Sequence, residues 1–444
     1  MAAMNALQSL EEFVLTEDGS GRKVRISGVI NEVTPSYYRV AGLSQFVKLG
    51  DRVGFAAQDK TEIGEVVRID SGGVTVKPFN GRIEAGLGMP AFLAGDVGLS
   101  PDHSWRGRVI NALGEPLDGL GALIPGATKV QNDAEPPSAM LRSRVKEPLR
   151  TGVKAIDLFT PICKGQRIGI FAGSGVGKST LLTMLAKCEG FDTIVVALVG
   201  ERGREVREFL EGPIQANLHK SIMVVSTGDE SPMMRRQAPR TAVALAEYFR
   251  DCGESVLLIV DSVTRYAHAA RDVALAAGEP AVARGYTPSV FSDLPRLLER
   301  AGPGDEGKGG AITGIFSVLI DGDDHNDPVA DNIRGTLDGH IVLDRAIADQ
   351  GRYPAINVLG SISRLADHVW SPDQKELVRR LRSLIARFED TRDLRLMGGY
   401  HPGNDQELDQ SVVLVPKIYE ALRQDPSMPA SRDAFMDLAQ ILRQ

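Results

Sequence analysis

The sequence predicts an α/β fold in three parts: a small N-terminal β-barrel, a central parallel sheet with helices on both faces, and a C-terminal helical domain. Short stretches near the start alternate apolar and polar residues, compact apolar strands alternate with helical segments in the middle, and only helical patterns follow. Parallel strands need this alternation because a crossover helix must return the chain to the same edge of the sheet. The 444 residues suffice for about three domains of roughly 150 residues each.

The barrel is predicted over residues 22–92. Its segments VRISGVI, DRVGFAA, EIGEVVRI and GGVTVKP have the period of two that half-buried strands require, and Gly, Asn and Asp turns separate them. Residues 93–149 are rich in Gly and Pro and show no helical period, which indicates a linking segment. We assign 93–365 to the central domain with this linker, and 366–444 to the helical domain.

Composition limits the possible function. The formal net charge of −7 argues against a nucleic-acid partner, because such proteins concentrate Lys and Arg on one face. The start, MAAMNALQSLEEF, lacks the features of a secretory signal, and no apolar run approaches the ~20 residues that cross a bilayer. These features predict a cytoplasmic protein with at most a peripheral membrane role. Cys163, Cys188 and Cys252 have no disulfide or metal spacing and are expected to be reduced, buried thiols.

A phosphate-binding loop is predicted at residues 172–179, which read Ala-Gly-Ser-Gly-Val-Gly-Lys-Ser between the strand RIGIF and the helical run STLLTMLAKC. Its glycines let backbone N–H groups turn towards a phosphate, Lys178 supplies a cation, and the Ser179 hydroxyl can ligate Mg²⁺. Ala172 stands where the pattern has its first Gly. The predicted nucleotide-binding residues in this loop are Gly173, Ser174, Gly175, Val176, Gly177, Lys178, Ser179 and Thr180.

ATP hydrolysis also needs a carboxylate for the metal, a group that orients water, and a cation for the transferring phosphoryl group. Asp261 ends the apolar strand SVLLIV, where a metal-positioning acid would lie, although such an Asp can also be a helix N-cap. Glu201 follows the strand TIVVALVG and could polarise water, or be an exposed loop glutamate. Arg364 could serve as an arginine finger in a neighbouring subunit's site, or lie solvated on the surface.

Five sequence blocks, in this order, resemble those of ATPases of the rotary ATP synthase catalytic-subunit type, and especially the flagellar type III protein-export ATPases. The resemblance covers nearly the whole chain and implies a RecA-like core between the barrel and the helical domain. The blocks are GRVINALGEPLDGLG (107–121), TGVKAIDLFTPICKGQRIGIFAGSGVGKSTLL (151–182), VGERGREVREF (199–209), LLIVDSVTRYAHAARDV (257–273) and YPAINVLGSISR (353–364).

Roles for individual residues follow from the resemblance at the matching positions. It implies that Glu201 is the catalytic glutamate, Arg202 a γ-phosphate contact, and Asp261 the metal-positioning acid beside Ser179. It implies further that Arg364 is a finger acting in trans. Tyr353 is implied to stack on adenine, for which its flat ring is suited; a core tyrosine is the alternative.

The resemblance also implies partners. It implies a homohexameric ring with sites between subunits and a central stalk protein as a partner. Residues 1–21 are expected to dock a regulatory stator protein, since Leu7, Leu10 and Phe13 recur three apart as in a short amphipathic helix; a frayed tail is the alternative. Export substrates, their chaperones and a membrane export gate complete the implied set, which places the protein peripherally at the inner membrane.

Features after residue 285 favour the export branch. The segments GYTPSVFSDLPRLLERAG (285–302), DDHNDPVADNIRGTLDGHIVLDR (323–345) and GGYHPGNDQELDQ (398–410) resemble export ATPases, and no DELSEED-like acidic stretch follows residue 365. The expected function is therefore Mg-dependent ATP hydrolysis that powers or gates flagellar protein export. An injectisome ATPase and a catalytic subunit of an ion-translocating rotary ATP synthase are the alternatives.

Overall fold

The computed structural model describes residues 26–57, 60–95, 98–212, 214–307, 309–320 and 327–443. The chain forms two compact units that divide between residues 97 and 98. The expected docking segment, residues 1–21, lies outside the described residues, as does the start of the export-like segment 323–345. Among the described helices, none is long and apolar enough to cross a bilayer.

The first unit is a closed antiparallel barrel of six strands in the order β1-β2-β5-β4-β3-β6. Its interior is filled by the inward-facing residues of each strand, among them Tyr38 and Phe55, whose rings meet edge to face with centroids 5.3 Å apart. The strands are β1 (Ser27–Val33), β2 (Tyr38–Ala41), β3 (Arg52–Ala57), β4 (Lys60–Asp70), β5 (Gly73–Pro78) and β6 (Pro90–Leu93).

The second unit is built on a nine-stranded sheet in the order β17-β16-β10-β15-β13-β11-β12-β7, with β14 paired beside β15. The pairs from β16 to β7 are parallel, and only β17 and β14 run antiparallel to their neighbours. β8 (Pro148–Leu149) and β9 (Ile162–Cys163) form a separate ribbon. The sheet strands are β7 (Val109–Asn111), β10 (Arg167–Ala172), β11 (Thr193–Glu201), β12 (Ser221–Thr227), β13 (Ser255–Asp261), β14 (Gly302–Pro303), β15 (Ala311–Leu319), β16 (Gly339–Leu343) and β17 (Ile362–Ser363).

The central strands are buried on both faces, as their continuous apolar sequences predict. In β11, Val196 packs into the core on one face and Val195 into the core on the other. Leu181, on the helix after β10, joins the first core together with Val378 and Val415 of the C-terminal helices. The central sheet domain and the C-terminal helical domain therefore share one continuous apolar interior.

Helices cover both faces of the sheet and then continue alone to the C-terminus. The helix over Pro372–Asp390 begins with a capping box between Ser371 and Gln374 and has Pro372 in its first turn, which satisfies its free N–H groups. The helices are α1 (Lys154–Phe159), α2 (Lys178–Ala186), α3 (Gly203–Glu211), α4 (Pro232–Asp251), α5 (Val263–Ala276), α6 (Pro288–Glu299), α7 (Pro328–Thr336), α8 (Arg345–Asp349), α9 (Ala366–Val369), α10 (Pro372–Asp390), α11 (Arg392–Leu396), α12 (Gln406–Leu422) and α13 (Ala434–Leu442).

The predicted fold class is confirmed, since the barrel, the helix-covered parallel sheet and the C-terminal helices follow in the expected order. Two details differ from expectation. The segment interpreted as a linker contributes β7, which pairs in parallel with β12; three residues are too few to show a period in the sequence. Cys252 is exposed, because it caps the C-terminal end of α4 instead of facing a core.

Gly310, which precedes β15, tests how tightly the sheet packs on α4. A Cβ at Gly310 would lie 1.8 Å from the backbone oxygen of Arg250, so Gly310→Ala must push the two backbones apart, at a cost of about 1–3 kcal/mol. We expect a lower midpoint of thermal unfolding. The control is Gly335→Ala in α7, where a Cβ meets nothing within 4 Å and should stabilise the helix by about 0.5–1 kcal/mol. An unchanged midpoint for Gly310→Ala would contradict this packing.

Candidate active site

The predicted phosphate loop connects the carboxyl end of β10 to the start of α2. Gly175 and Gly177 have φ angles of 79° and 96°, in the left-handed region that glycine enters without strain. Gly177 is the N-cap of α2, and no side chain among the described residues caps this helix end. The free N–H groups and the positive end of the helix dipole therefore face the loop, as anion binding requires.

Lys178 lies at the centre of the site, between two carboxylates from neighbouring strands. Its Nζ contacts Oδ1 of Asp261, at the end of β13, and lies 3.7 Å from Oε1 of Glu201, at the end of β11. Ser317 of β15 donates a hydrogen bond of 2.5 Å to the same Asp261 oxygen. Because the parallel strands β10, β15, β13 and β11 end at one edge of the sheet, residues far apart in sequence meet here.

Glu201 is buried, with 9% of its surface exposed. Burial, a hydrogen bond shared with Glu205 and the charge of Asp261 raise the pKa of Glu201 to about 7, while Lys178 and Arg265 oppose this shift. The pKa of Glu205 is lowered, chiefly because its carboxylate accepts that hydrogen bond. A carboxyl group that titrates near neutral pH is suited to take a proton from water.

A cavity of about 260 Å³ opens beside Lys178 and is lined by oxygen-bearing side chains. A hydroxyl and a carboxylate of the kind that Ser179 and Asp261 place there are hard oxygen donors, which Mg²⁺ prefers while it keeps most of its waters. The donor set therefore fits this ion. The lining residues are Ser179, Thr180, Thr183, Leu198, Glu201, Glu205, Glu208, Phe209, Asp261 and Pro426.

Tyr353 lies against the phosphate loop. A Cβ on Gly177 would stand 3.5 Å from Cε1 of the Tyr353 ring, and 42% of the Tyr353 surface remains exposed. The ring can therefore offer an open face to a base whose phosphates occupy the loop. The backbone N–H of Gln424, just after α12, donates to the Tyr353 carbonyl over 2.9 Å, so the C-terminal helical domain supports the tyrosine's backbone.

Arg364 lies at the opposite end of the sheet from its own phosphate loop. Its backbone N–H donates to the carbonyl of Asp338, whose N–H in turn donates to the carbonyl of Arg167, the first residue of β10. The loop begins after Ala172, the last residue of β10, about 17 Å away at roughly 3.3 Å per residue. An arginine side chain does not span that distance, so Arg364 is not part of its own chain's phosphate site.

Arg202 also stands apart from the cavity. Its side chain is 74% exposed, and its guanidinium lies 3.8 Å from Glu205. Arg202 is the N-cap residue of α3, which directs its side chain outward. Among the described residues, the arginine that contacts Glu201 is a different one.

Sequence reasoning missed that arginine and two further residues. Nε of Arg265, in the first turn of α5, lies 3.8 Å from Oε1 of Glu201. Its position four residues after the strand-end Asp261 is the sequence signal that could have revealed it. Arg345 donates to the carbonyl of Ser174 over 2.8 Å, and Pro426 lines the cavity; both come from distant segments, so no local pattern marks them.

The fold and the site together define a P-loop ATPase of the kind with a carboxylate beside the phosphate loop. Residues 152–363 match the family model described as the ATP synthase alpha/beta family, nucleotide-binding domain, and residues 370–440 match the T3SS EscN ATPase C-terminal domain. The chain belongs to the ATP synthase alpha/beta family, within its branch of type III export ATPases.

Individual relatives agree with this assignment. The chain is 57% identical over 416 residues to the flagellum-specific ATP synthase of Rhizobium meliloti (strain 1021), covering 94% of this chain and 89% of that protein. The assembled ATPase EscN of the enteropathogenic E. coli type III secretion system superposes with a TM-score of 0.87 at 37% identity, covering 94% and 99% of the two chains. EscN in complex with its central stalk EscO superposes with a TM-score of 0.84 at 38% identity, covering 94% and 100%.

The raised pKa of Glu201 predicts how the reaction depends on pH. Because only the ionised carboxylate accepts a proton, kcat/KM for ATP should fall about tenfold for each pH unit below about 7, the pKa of Glu201 in the free enzyme. Steady-state ATPase assays between pH 5.5 and 8.5 measure this profile.

ATP binding measured over the same pH range is the control, since protonation of the nucleotide would change binding as well as turnover. Glu201→Gln should bind ATP and lose at least about 100-fold in kcat, with the remaining rate independent of pH in this range. A Glu201→Gln variant with the wild-type profile would show that another group titrates.

Proposed function

We propose that this chain is a Mg-dependent ATP hydrolase that works as a homohexameric ring and powers or gates protein export through a flagellar type III secretion apparatus. One observation supports the ring. Hydrolysis needs a cation at the transferring phosphoryl group, but Arg364, the predicted arginine finger, lies at the opposite end of β10 from its own chain's phosphate loop. A second copy of the chain, presenting its own Arg364, completes each site. A closed ring gives every subunit both a site and a neighbour.

The chain's own residues divide the work of hydrolysis. The phosphate loop, residues 173–180, holds the triphosphate through backbone N–H groups, and Lys178 leaves Asp261 to reach the β- and γ-phosphates. Tyr353 holds the base. Glu201, freed from its ion contact with Lys178, orients a water molecule and takes its proton.

Cations complete the site from both sides of the subunit boundary. Arg265 stands beside Glu201 and favours its ionised form. Arg202 lies outside the cavity but 3.8 Å from Glu205, which lines it, and is proposed to turn towards the γ-phosphate once nucleotide enters. Arg364 of the next subunit stabilises the charge of the transition state. Mg²⁺, held by Ser179 and positioned by Asp261, would neutralise charge on the β- and γ-phosphates when bound.

The relatives support the assembly and its partners. EscN forms an assembled ATPase and binds the central stalk EscO, and the present chain matches nearly the whole length of that protein. A homohexamer around a stalk protein is the proposed assembly here. The N-terminal segment 1–21 is proposed to dock a stator protein, and export substrates, chaperones and a membrane export gate are the proposed further partners, which gives a cytoplasmic location at the inner membrane.

The flagellar branch is favoured over the injectisome branch by sequence. Two flagellum-specific relatives are 57% identical to this chain, whereas the two type 3 secretion system ATPases of Salmonella typhimurium and Xanthomonas euvesicatoria are 43% and 41% identical. A catalytic subunit in a mixed synthase ring is disfavoured because residues 370–440 match the C-terminal domain of type III secretion ATPases. One chain that carries both Glu201 and Arg364 needs no noncatalytic partner.

Mixing two inactive variants tests whether the finger acts in trans. Arg364→Ala should bind ATP normally and lose about 1000-fold in kcat, because an arginine finger contributes 10³–10⁵ in rate. Mixed rings of Arg364→Ala and Glu201→Gln should regain part of the activity, since an intact Glu201 then meets a neighbour's intact arginine. Arg379→Ala, at another exposed arginine, is the control and should match the wild type. No recovery on mixing would exclude a trans role.

Export itself is tested in cells. A strain whose only copy carries Glu201→Gln should assemble the protein at the export apparatus but secrete far less flagellin, because ATP is bound and not turned over. Flagellin in the culture medium and swimming motility measure the outcome, with the Arg379→Ala strain as control. If the purified wild-type protein hydrolyses ATP at full rate and a strain that lacks the whole gene still secretes flagellin at the wild-type level, the export role is overturned.

A further inference from the structure

Arg364 is exposed, yet its backbone is held by a partly buried polar cluster. The strand β17 ends at Ser363, directly before Arg364, and pairs with the start of β16. Gly339 permits this close pairing, since a Cβ there would lie 2.5 Å from the carbonyl oxygen of Ile362. The backbone N–H of Arg364 then donates to the carbonyl of Asp338 over 2.9 Å.

Asp338 forms a bidentate ion pair with Arg167. Oδ1 and Oδ2 of Asp338 accept hydrogen bonds of 3.0 Å from Nη2 and Nε of Arg167, and Oδ2 also accepts one of 3.0 Å from the Arg167 backbone N–H. The pair is largely shielded, with 14% of the arginine side chain and 26% of the aspartate side chain exposed. A bidentate, charge-assisted pair fixes orientation as well as distance.

Gln166 adds a second support from the same turn. This fully buried residue donates through Nε2 to the Asp338 carbonyl over 3.2 Å and to Oγ of Ser363 over 3.1 Å. Its Oε1 accepts from the Cys163 backbone N–H over 2.8 Å. Ser363 is therefore hydrogen-bonded to Gln166 directly, and Arg364 is linked to Gln166 and Arg167 through Asp338.

We propose that Asp338 is a positioning residue for Arg364. The ion pair between the Asp338 carboxylate and Arg167 fixes the Asp338 carbonyl, which accepts the hydrogen bond from the Arg364 backbone N–H. This fixed backbone orients the Arg364 guanidinium towards the neighbouring subunit's site. This inference rests on the proposed trans role of Arg364. Catalysis by a finger is sensitive to placement, since a 1 Å displacement can cost about 100-fold in rate.

The same cluster joins the finger to the strand that carries the subunit's own phosphate loop. Arg167 begins β10, and the phosphate loop follows the last residue of that strand, Ala172. A strand hydrogen-bonded on both sides, to β15 and β16, moves as one body. Asp338 therefore fixes the position of the finger relative to the site on the opposite end of the same strand.

The test uses the full-length protein with Asp338→Ala and Asp338→Asn. Asp338→Ala should lower kcat by roughly 10- to 100-fold and change the KM for ATP by less than about twofold, because the subunit's own phosphate loop stays intact. Asp338→Asn, whose amide oxygen can still accept from Arg167, should lose less. Asp349→Asn, at an exposed aspartate, is the matched control and should behave as wild type.

Two further measurements separate positioning from a general loss of fold. In the double variant Asp338→Ala/Arg364→Ala, kcat should equal that of Arg364→Ala alone, since a missing finger has nothing left to be positioned. Mixing Asp338→Ala with Glu201→Gln should restore activity. In mixed rings, the correctly positioned Arg364 of a Glu201→Gln subunit reaches the site of an Asp338→Ala subunit, whose Glu201 is intact.

The outcomes distinguish this inference from the proposed function. If Arg364→Ala keeps full activity, the proposed role of Arg364 as an arginine finger is wrong. If Arg364→Ala is inactive while Asp338→Ala keeps the wild-type kcat, the finger stands and the positioning role of Asp338 is overturned. A loss in Asp338→Ala that adds to the loss in Arg364→Ala, or that mixing does not repair, also overturns it, since a structural defect gives that pattern.

Discussion

The contact of Lys178 with Asp261 is the interaction on which the active site depends. A lysine and two acids, Asp261 and Glu201, are held within a few ångströms of one another at a largely buried sheet edge. Without the lysine, two carboxylates would be buried close together with no positive charge between them. Lys178 thus keeps the site compact in the absence of nucleotide. In the proposed mechanism a triphosphate, with its greater charge, competes for the same cation and releases the acids.

The parallel sheet makes that contact possible. Strands β10, β15, β13 and β11 lie side by side and end at one edge, so the phosphate loop, Ser317, Asp261 and Glu201 converge although they are widely separated along the chain. Helices cover both faces of these strands, and Glu201 and Asp261 are buried at their edge. The raised pKa of Glu201 is a direct consequence, because burial disfavours its charged form.

The segment from Tyr353 to Arg364 connects the two ends of the sheet. It runs antiparallel beside β16, with bridges at Leu343 to Ile356 and at Gly339 to Ser363. Tyr353 therefore reaches the subunit's own phosphate loop, while Arg364 emerges at the far end. Twelve residues thus separate a side chain at the phosphate loop from one at the far end of the sheet, and the proposed ring rests on this separation.

The sequence alone determined the fold class and the phosphate loop, because both rest on local patterns: strand and helix periods, and glycines and a lysine at fixed spacing between a strand and a helix. It also marked Asp261 and Glu201, since each ends an apolar strand. Only the tertiary structure revealed Arg265 beside Glu201, Ser317 beside Asp261, and the ion pair of Asp338 with Arg167. These contacts join segments far apart in the sequence, and their geometry depends on strand order and register, which no local pattern encodes.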